Sequence, residues 1–208
     1  MPRHDRPDYW QPACRALSRA DPVMARLIRA YPDAALRSRG NAFETLLRAI
    51  VGQQISVKAA DAVWARVCAA TPLQPGPVAA LGIDGLRACG LSRMKAEYAI
   101  DLAEHFSEGR IKPRRWAHME DEAVIAELAD VRGIGRWTAE MFLIFHLLRP
   151  NVWPVGDLGL LKAISLHYRQ GEKVGAKEAR AIGEAWQPWR TVATWYLWRS
   201  LDPVAVEY

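Results

Sequence analysis

The chain has 208 residues, 50% of them hydrophobic and 25% charged. That composition suits one large globular domain or two small subdomains sharing a core, and it excludes a disordered chain. No run of about 18 uninterrupted apolar residues exists, which excludes a transmembrane helix. The formal charge of +5 permits a polyanion partner without requiring one.

The amino end, MPRHDRPDYW, has no apolar segment, so no secretory leader is expected. Asp21 followed by Pro22 is a cap-then-proline start, and it predicts a helix through about Tyr31. Asn41, with Glu44 three residues on, has the spacing of a capping box and opens FETLLRAIVGQ. Ser56 is placed to cap VKAADAVWARVCAA, where Val57, Ala60, Val63, Trp64 and Val67 share one face. Residues 71–85 are rich in proline and glycine and predict loops around one short helix. Ser92 predicts a helix through about Glu108, and Asp121 to Ala129 predicts another. Nowhere does the chain alternate at period two for long enough to make a sheet. The expected fold is all-α, with about ten helices. Cys14, Cys68 and Cys89 are too few and too widely spaced for a disulfide framework or a four-cysteine cluster, which points to a reducing cytoplasm.

The most informative stretch is LADVRGIGRWTAEMFLIFHLLRP, Leu128 to Pro150. A helix is expected to end near Asp130 and a new one to begin at about Arg136, running until Pro150 stops it. Gly133 and Gly135 flank one apolar residue, Ile134. Glycines there permit positive φ and expose backbone N–H groups. With the first turn of the following helix, those groups make an anion site. Ile134 would pack between the two helices. This is the helix-hairpin-helix way of gripping a DNA phosphate without reading sequence.

The segment NVWPVG follows as loop, with Pro154 barring helix. Asp157 then opens LGLLKAISLHY. It reads either as the N-cap of that helix or as a carboxylate with a chemical task. Six of the nine tryptophans lie from Trp137 onward, namely Trp137, Trp153, Trp186, Trp189, Trp195 and Trp198. They suit either a flat aromatic ligand or core packing.

Taken together, VRGIGRWTAEMF, PVGDLGLLKAI and EAWQPWRTVATWYLW resemble the helix-hairpin-helix, Gly-Pro-Asp superfamily of DNA glycosylases. The 3-methyladenine DNA glycosylase II branch is the nearest in pattern, and LLRAIVGQQISVKAA and CGLSRMKAEYAIDLAEHF fit that branch as well. The resemblance covers roughly residues 41–202. It implies two helical subdomains with the active-site cleft between them and no amino-terminal β domain. One is the middle region of about 41–150 carrying the hairpin; the other joins about 1–40 to 151–208.

The resemblance also implies roles. Asp157 matches the essential aspartate. Trp137, Met141 and Trp198 match the base pocket, with Met141 where well-known relatives carry tyrosine. The backbone N–H groups of Gly133, Gly135 and Thr138 match the phosphate donors. Gln54, in the loop GQQIS, matches the residue that wedges into the duplex, although Gln53 and Gln54 read equally as a polar loop. No cofactor is required. One structural Na+ or K+ would be held by the carbonyls of Ala129, Val131 and Ile134.

Bifunctional members carry a nucleophilic lysine where this chain has Trp137, so no Schiff base, and no strand cleavage, is expected. The implied activity is monofunctional release of alkylated purines, 3-methyladenine and 7-methylguanine, from double-stranded DNA. The expected protein is a monomer of the cytoplasm and nucleoid with no membrane association. Two alternatives stay open at this stage: a glycosylase for mismatched or deaminated bases, and a non-catalytic damage-binding module in which Asp157 is only a cap.

Overall fold

A computed structural model describes residues 7–32, 36–38 and 41–201, so the reading of residues 1–6 lies outside the described residues. Among the described residues there are eleven α-helices, two short 3-10 segments and no strand. The chain divides into two compact units, Met1–Ser38 with Leu143–Tyr208, and Arg39–Phe142. The sequence reading put the second break at about 150; the division falls earlier, within a helix.

The first unit holds α1 (Trp10–Ala20), α2 (Pro22–Ala30), α9 (Leu158–Tyr168), α10 (Ala176–Gly183) and α11 (Arg190–Leu201). Asp21 explains how the two ends of the chain join. Its Oδ1 accepts the N–H groups of Val23 and Met24 at 2.8 and 3.1 Å, capping α2. Its Oδ2 accepts the Tyr168 hydroxyl at 2.8 Å and the Trp186 indole N–H at 3.0 Å. One carboxylate therefore starts a helix and ties residues more than a hundred positions apart. Burial and the Asp21 carboxylate push the Tyr168 phenol well above its ordinary pKa. Trp10, Leu17, Met24, Leu160, Ile164, Val192 and Leu197 form the core of this unit.

The second unit holds α3 (Ala42–Gly52), α4 (Val57–Ala70), α5 (Pro75–Ala88), α6 (Arg93–Ser107), a 3-10 segment at Pro113–His118, and α7 (Asp121–Ala129). The expected caps form here: Asn41, Ser56 and Ser92 accept the N–H groups of Glu44, Ala59 and Lys95. Residues 71–85 differ from expectation. They are mostly helical, because Pro75 sits at the start of α5, where no N–H is needed. Gly82, at φ 67° and ψ 177°, breaks α5 into two pieces.

The remaining helix, α8 (Arg136–Phe145), begins in the second unit and ends in the first. It stops short of the proline expected to end it. Leu148 takes φ 54° and the Arg149 N–H bonds to the Leu143 carbonyl at 2.9 Å, so the chain turns before Pro150. No helix among the described residues is long and apolar enough to cross a membrane.

Candidate functional site

The hairpin turn lies between α7 and α8, and α6 builds it from beneath. Gly133 has φ 85°, in the left-handed region, and a Cβ there would meet the Tyr98 ring at 2.1 Å. Two independent constraints therefore require glycine at this position. Gly135 is different. Its φ lies outside the left-handed region, and a Cβ there would meet nothing within 4 Å. The expectation of positive φ on both sides of Ile134 is thus corrected: only Gly133 needs it.

Ile134 is buried, as the packing role requires. Its N–H bonds to the Val131 carbonyl at 3.0 Å, while the Arg132 N–H bonds to the Asp101 carboxylate of α6 at 2.8 Å. The N–H groups of Gly133, Gly135 and Thr138 have no acceptor among the described residues. A helix start leaves such donors unfilled, and its dipole adds positive potential. The three N–H groups read from the sequence as phosphate donors are therefore the open ones.

The loop after α3 is anchored to this turn. Gln53 donates its Nε2 to the Gly133 carbonyl at 2.8 Å. Lys95 on α6 donates its ammonium to the Val51 carbonyl at 2.9 Å, closing the end of α3, and burial pulls its pKa down. Gln54 sits between these anchors and Ser56, exposed, with φ 57°. A non-glycine residue in that region is strained by roughly 1–3 kcal/mol, so the anchors hold the loop in a form it would not choose alone. Trp137, on the first turn of α8, is 42% exposed, whereas Met141, one turn on, is 7% exposed.

The carbonyls of Ala129, Val131 and Ile134 are neutral oxygens within one turn, a donor set of the kind that hard cations take. Val131 already accepts one hydrogen bond, and a carbonyl oxygen has a second lone pair. The residues present fit an alkali-metal ion.

Asp157 belongs to the first unit, and the loop that carries it is fixed by α10 and α11. The fully buried Thr191 donates its hydroxyl to the Arg149 carbonyl at 2.6 Å and accepts the Val152 N–H at 2.9 Å. The Trp153 indole donates to the Ala179 carbonyl at 3.0 Å. Asp157 then caps α9, its Oδ1 accepting the Leu160 N–H at 2.6 Å. The same oxygen accepts the Trp198 indole N–H from α11 at 2.7 Å. Trp198 lies nearly parallel to Phe145, with ring centroids 5.9 Å apart at 11°. Asp157 and Trp198, both singled out from the sequence, are thus brought together.

Most of the other tryptophans are core. Trp153 and Trp186 meet edge to face at 5.3 Å, and Trp10 meets Trp195 in the same way at 5.7 Å. The aromatic-ligand reading of the tryptophans narrows to Trp137 and Trp198. Sequence reasoning missed Gln53, Tyr98 and Asp101 as props of the hairpin. All three lay inside stretches noted for the resemblance, but nothing in those stretches points to the hairpin turn.

These features define a class first: an all-α protein with a helix-hairpin-helix turn and a donor-held aspartate following it in the chain. The chain belongs to the HhH-GPD superfamily of base excision DNA repair proteins, whose pattern matches residues 47–188. It is similar to the Bacillus subtilis protein YfjP, 32% identical over 169 residues, 77% of this chain and 59% of that protein. The chain thus spans less than two thirds of that relative's length.

Among solved structures, a DNA-3-methyladenine glycosidase from Bacillus halodurans superposes with a TM-score of 0.85 at 34% identity. It covers 95% of this chain and 90% of that one. The 3-methyladenine DNA glycosylase of Schizosaccharomyces pombe, solved in complex with abasic DNA, gives 0.76 at 30% identity. The match covers 91% of this chain and 96% of that one.

Proposed function

We propose that this protein is a monofunctional DNA glycosylase that flips 3-methyladenine and 7-methylguanine out of duplex DNA and hydrolyses their N-glycosidic bonds. The observation that carries this is Asp157: a carboxylate held by two N–H donors, in a family of base excision repair proteins. In the reaction the bond between the sugar C1′ and the purine nitrogen breaks, and its electron pair leaves with the base. An alkylated purine is cationic, so it departs neutral without needing an acid. Positive charge builds on the sugar, and the fixed carboxylate of Asp157 stabilises it. Water adds at C1′ and gives up a proton, completing hydrolysis.

The open N–H groups of Gly133, Gly135 and Thr138 grip a backbone phosphate. The carbonyls of Ala129, Val131 and Ile134 would hold an alkali-metal ion, which would supply positive charge to that grip. Gln54, exposed on its anchored loop, fills the gap left by the flipped base, which offsets part of the few kcal/mol of unstacking. By the family resemblance Trp137, Met141 and Trp198 supply the base pocket, and an indole face stacked on the cationic purine contributes roughly 0.5–2 kcal/mol. An indole forms no imine, and Trp137 stands where an amine would be needed for strand cleavage.

The test is incubation with randomly methylated duplex DNA and chromatography of the released bases. Release of 3-methyladenine and 7-methylguanine is expected, leaving abasic strands that break only in hot alkali. Release of uracil, thymine or hypoxanthine alone would replace the substrate class. Binding without release would leave only a damage-binding module. A covalent adduct on borohydride treatment of the unmodified protein with lesion DNA would overturn the monofunctional assignment.

A further inference from the structure

Two donors converge on one oxygen of Asp157, and they are not equivalent. The Leu160 N–H at 2.6 Å is the bond any aspartate makes at a helix start. The Trp198 indole N–H at 2.7 Å comes from α11, 41 residues further along the chain, and capping does not need it. Its angle of approach is fixed by the flat stack of Trp198 on Phe145. The flank of the contact is Gly159. A Cβ at Gly159 would lie 3.1 Å from Asp157 Oδ1 and 3.5–3.6 Å from Cδ1 and Nε1 of Trp198. The first distance is tighter than a carbon–oxygen contact tolerates without movement. The residue beside the carboxylate thus lacks a side chain where one would press on this bond.

We infer that Trp198 is a positioning residue for Asp157, its indole N–H fixing the angle of the carboxylate, and that Gly159 is the residue whose missing side chain admits that bond. The inference rests on Asp157 being the carboxylate that stabilises the sugar cation, and it adds a role for Trp198 that stacking on the base does not require. A stacking wall needs a π-face, which phenylalanine supplies. An N–H donor is what phenylalanine lacks. A fixed donor keeps the carboxylate at one angle to the sugar, and phenylalanine removes that donor while keeping the flat ring face.

The experiment is single-turnover release of 7-methylguanine from methylated duplex, with affinity for the same duplex measured beside it, for the unmodified protein, Trp198→Phe, Gly159→Ala and Asp157→Asn. Trp198→Phe should slow release by roughly tenfold, the scale of a lost bond to a charged group, with affinity for the methylated duplex retained because the ring face remains. Gly159→Ala should slow release by roughly tenfold, the scale of a small misplacement of a reacting group, with affinity for undamaged duplex unchanged. It also tests the idea if Trp198→Phe fails to fold. Wild-type release by Trp198→Phe, a loss confined to its affinity, or wild-type release by Gly159→Ala would overturn the inference while an inactive Asp157→Asn left the catalytic reading standing. Wild-type release by Asp157→Asn would instead remove the reading on which it rests.

Discussion

The hairpin turn and the Asp157 cluster use N–H donors in opposite ways. In the hairpin, the N–H groups of Gly133, Gly135 and Thr138 have no acceptor among the described residues, so the turn is a neutral surface short of an anion. At Asp157 the anion is the protein's own, and two donors already serve it. The first arrangement suits holding a phosphate for as long as binding lasts. The second suits a cation that exists only during a reaction, because a carboxylate kept in place need not reorganise when charge develops. On the proposed reading, binding and chemistry rest on separate electrostatic devices, and substitutions should separate them.

The largest expected effect is at Asp157. Asparagine keeps an oxygen that accepts from Leu160 and Trp198, and it caps helices about as well as aspartate. Asp157→Asn should lose base release by roughly 10²–10³-fold or more, with thermal stability within about 0.5 kcal/mol. Affinity for undamaged duplex should not change. Release assays beside a melting curve check both parts. A large fall in stability with release otherwise preserved would reduce Asp157 to a cap.

The two glycines of the hairpin sharpen the comparison from the other side. Gly133→Ala forces a left-handed φ and drives a Cβ to 2.1 Å from the Tyr98 ring. A loss of several kcal/mol in stability is expected, of the order of strain plus overpacking. Weaker binding to every duplex should follow. Part of the stability should return with Tyr98→Ala in the same chain. Gly135→Ala meets nothing within 4 Å and needs no left-handed φ, so stability should hold within about 0.5 kcal/mol. Because glycine is used where a ligand approaches the backbone closely, binding should fall for damaged and undamaged DNA alike. The slope of affinity against salt should shrink if a phosphate contact is lost. An effect confined to one lesion would contradict a phosphate grip.

The same contrast governs what was legible in the sequence. The hairpin was readable because its determinants lie within a dozen consecutive residues: an apolar residue between two glycines, a helix ending before and another starting after. Caps were readable for the same reason. The Asp157–Trp198 bond was not, because a hydrogen bond across 41 residues leaves no periodicity. Position singled out Asp157 and composition Trp198, but nothing local joined the two. The joining of the chain's ends through Asp21 was hidden likewise, as was the support that Gln53, Tyr98 and Asp101 give the turn. The misread stretch at α5 has a local cause, since proline at a helix start looks in sequence much like proline in a loop. Trp153 and Trp186 proved to be core, their indole N–H groups bonded to the Ala179 carbonyl and the Asp21 carboxylate, partners that composition cannot show.

The smallest expected effect concerns Arg136, the basic residue at the start of α8. It is a tempting phosphate ligand, but it forks onto both carboxylate oxygens of Glu122 on α7 and also bonds Glu140 at 3.0 Å. The arginine therefore closes the hairpin, and gripping is left to the backbone. The Arg136 guanidinium holds the Glu122 carboxyl below the usual glutamate range. A depressed folded pKa gives stability that is fully present above the ordinary glutamate value and fades as pH falls through the lowered one. Both side chains are more than half exposed, 58% for Arg136 and 71% for Glu122, and solvent screens such pairs to about 0–1 kcal/mol. Glu122→Gln should therefore destabilise the protein by less than about 1 kcal/mol at neutral pH. The difference from the unmodified protein should vanish in acid. The DNA salt slope should stay the same or steepen slightly, because an arginine released from Glu122 becomes available to phosphate. Urea melts at neutral and acid pH, with binding measured at two salt concentrations, check each part. A shallower salt slope would mean that Glu122 holds Arg136 in a position where it already contacts the DNA.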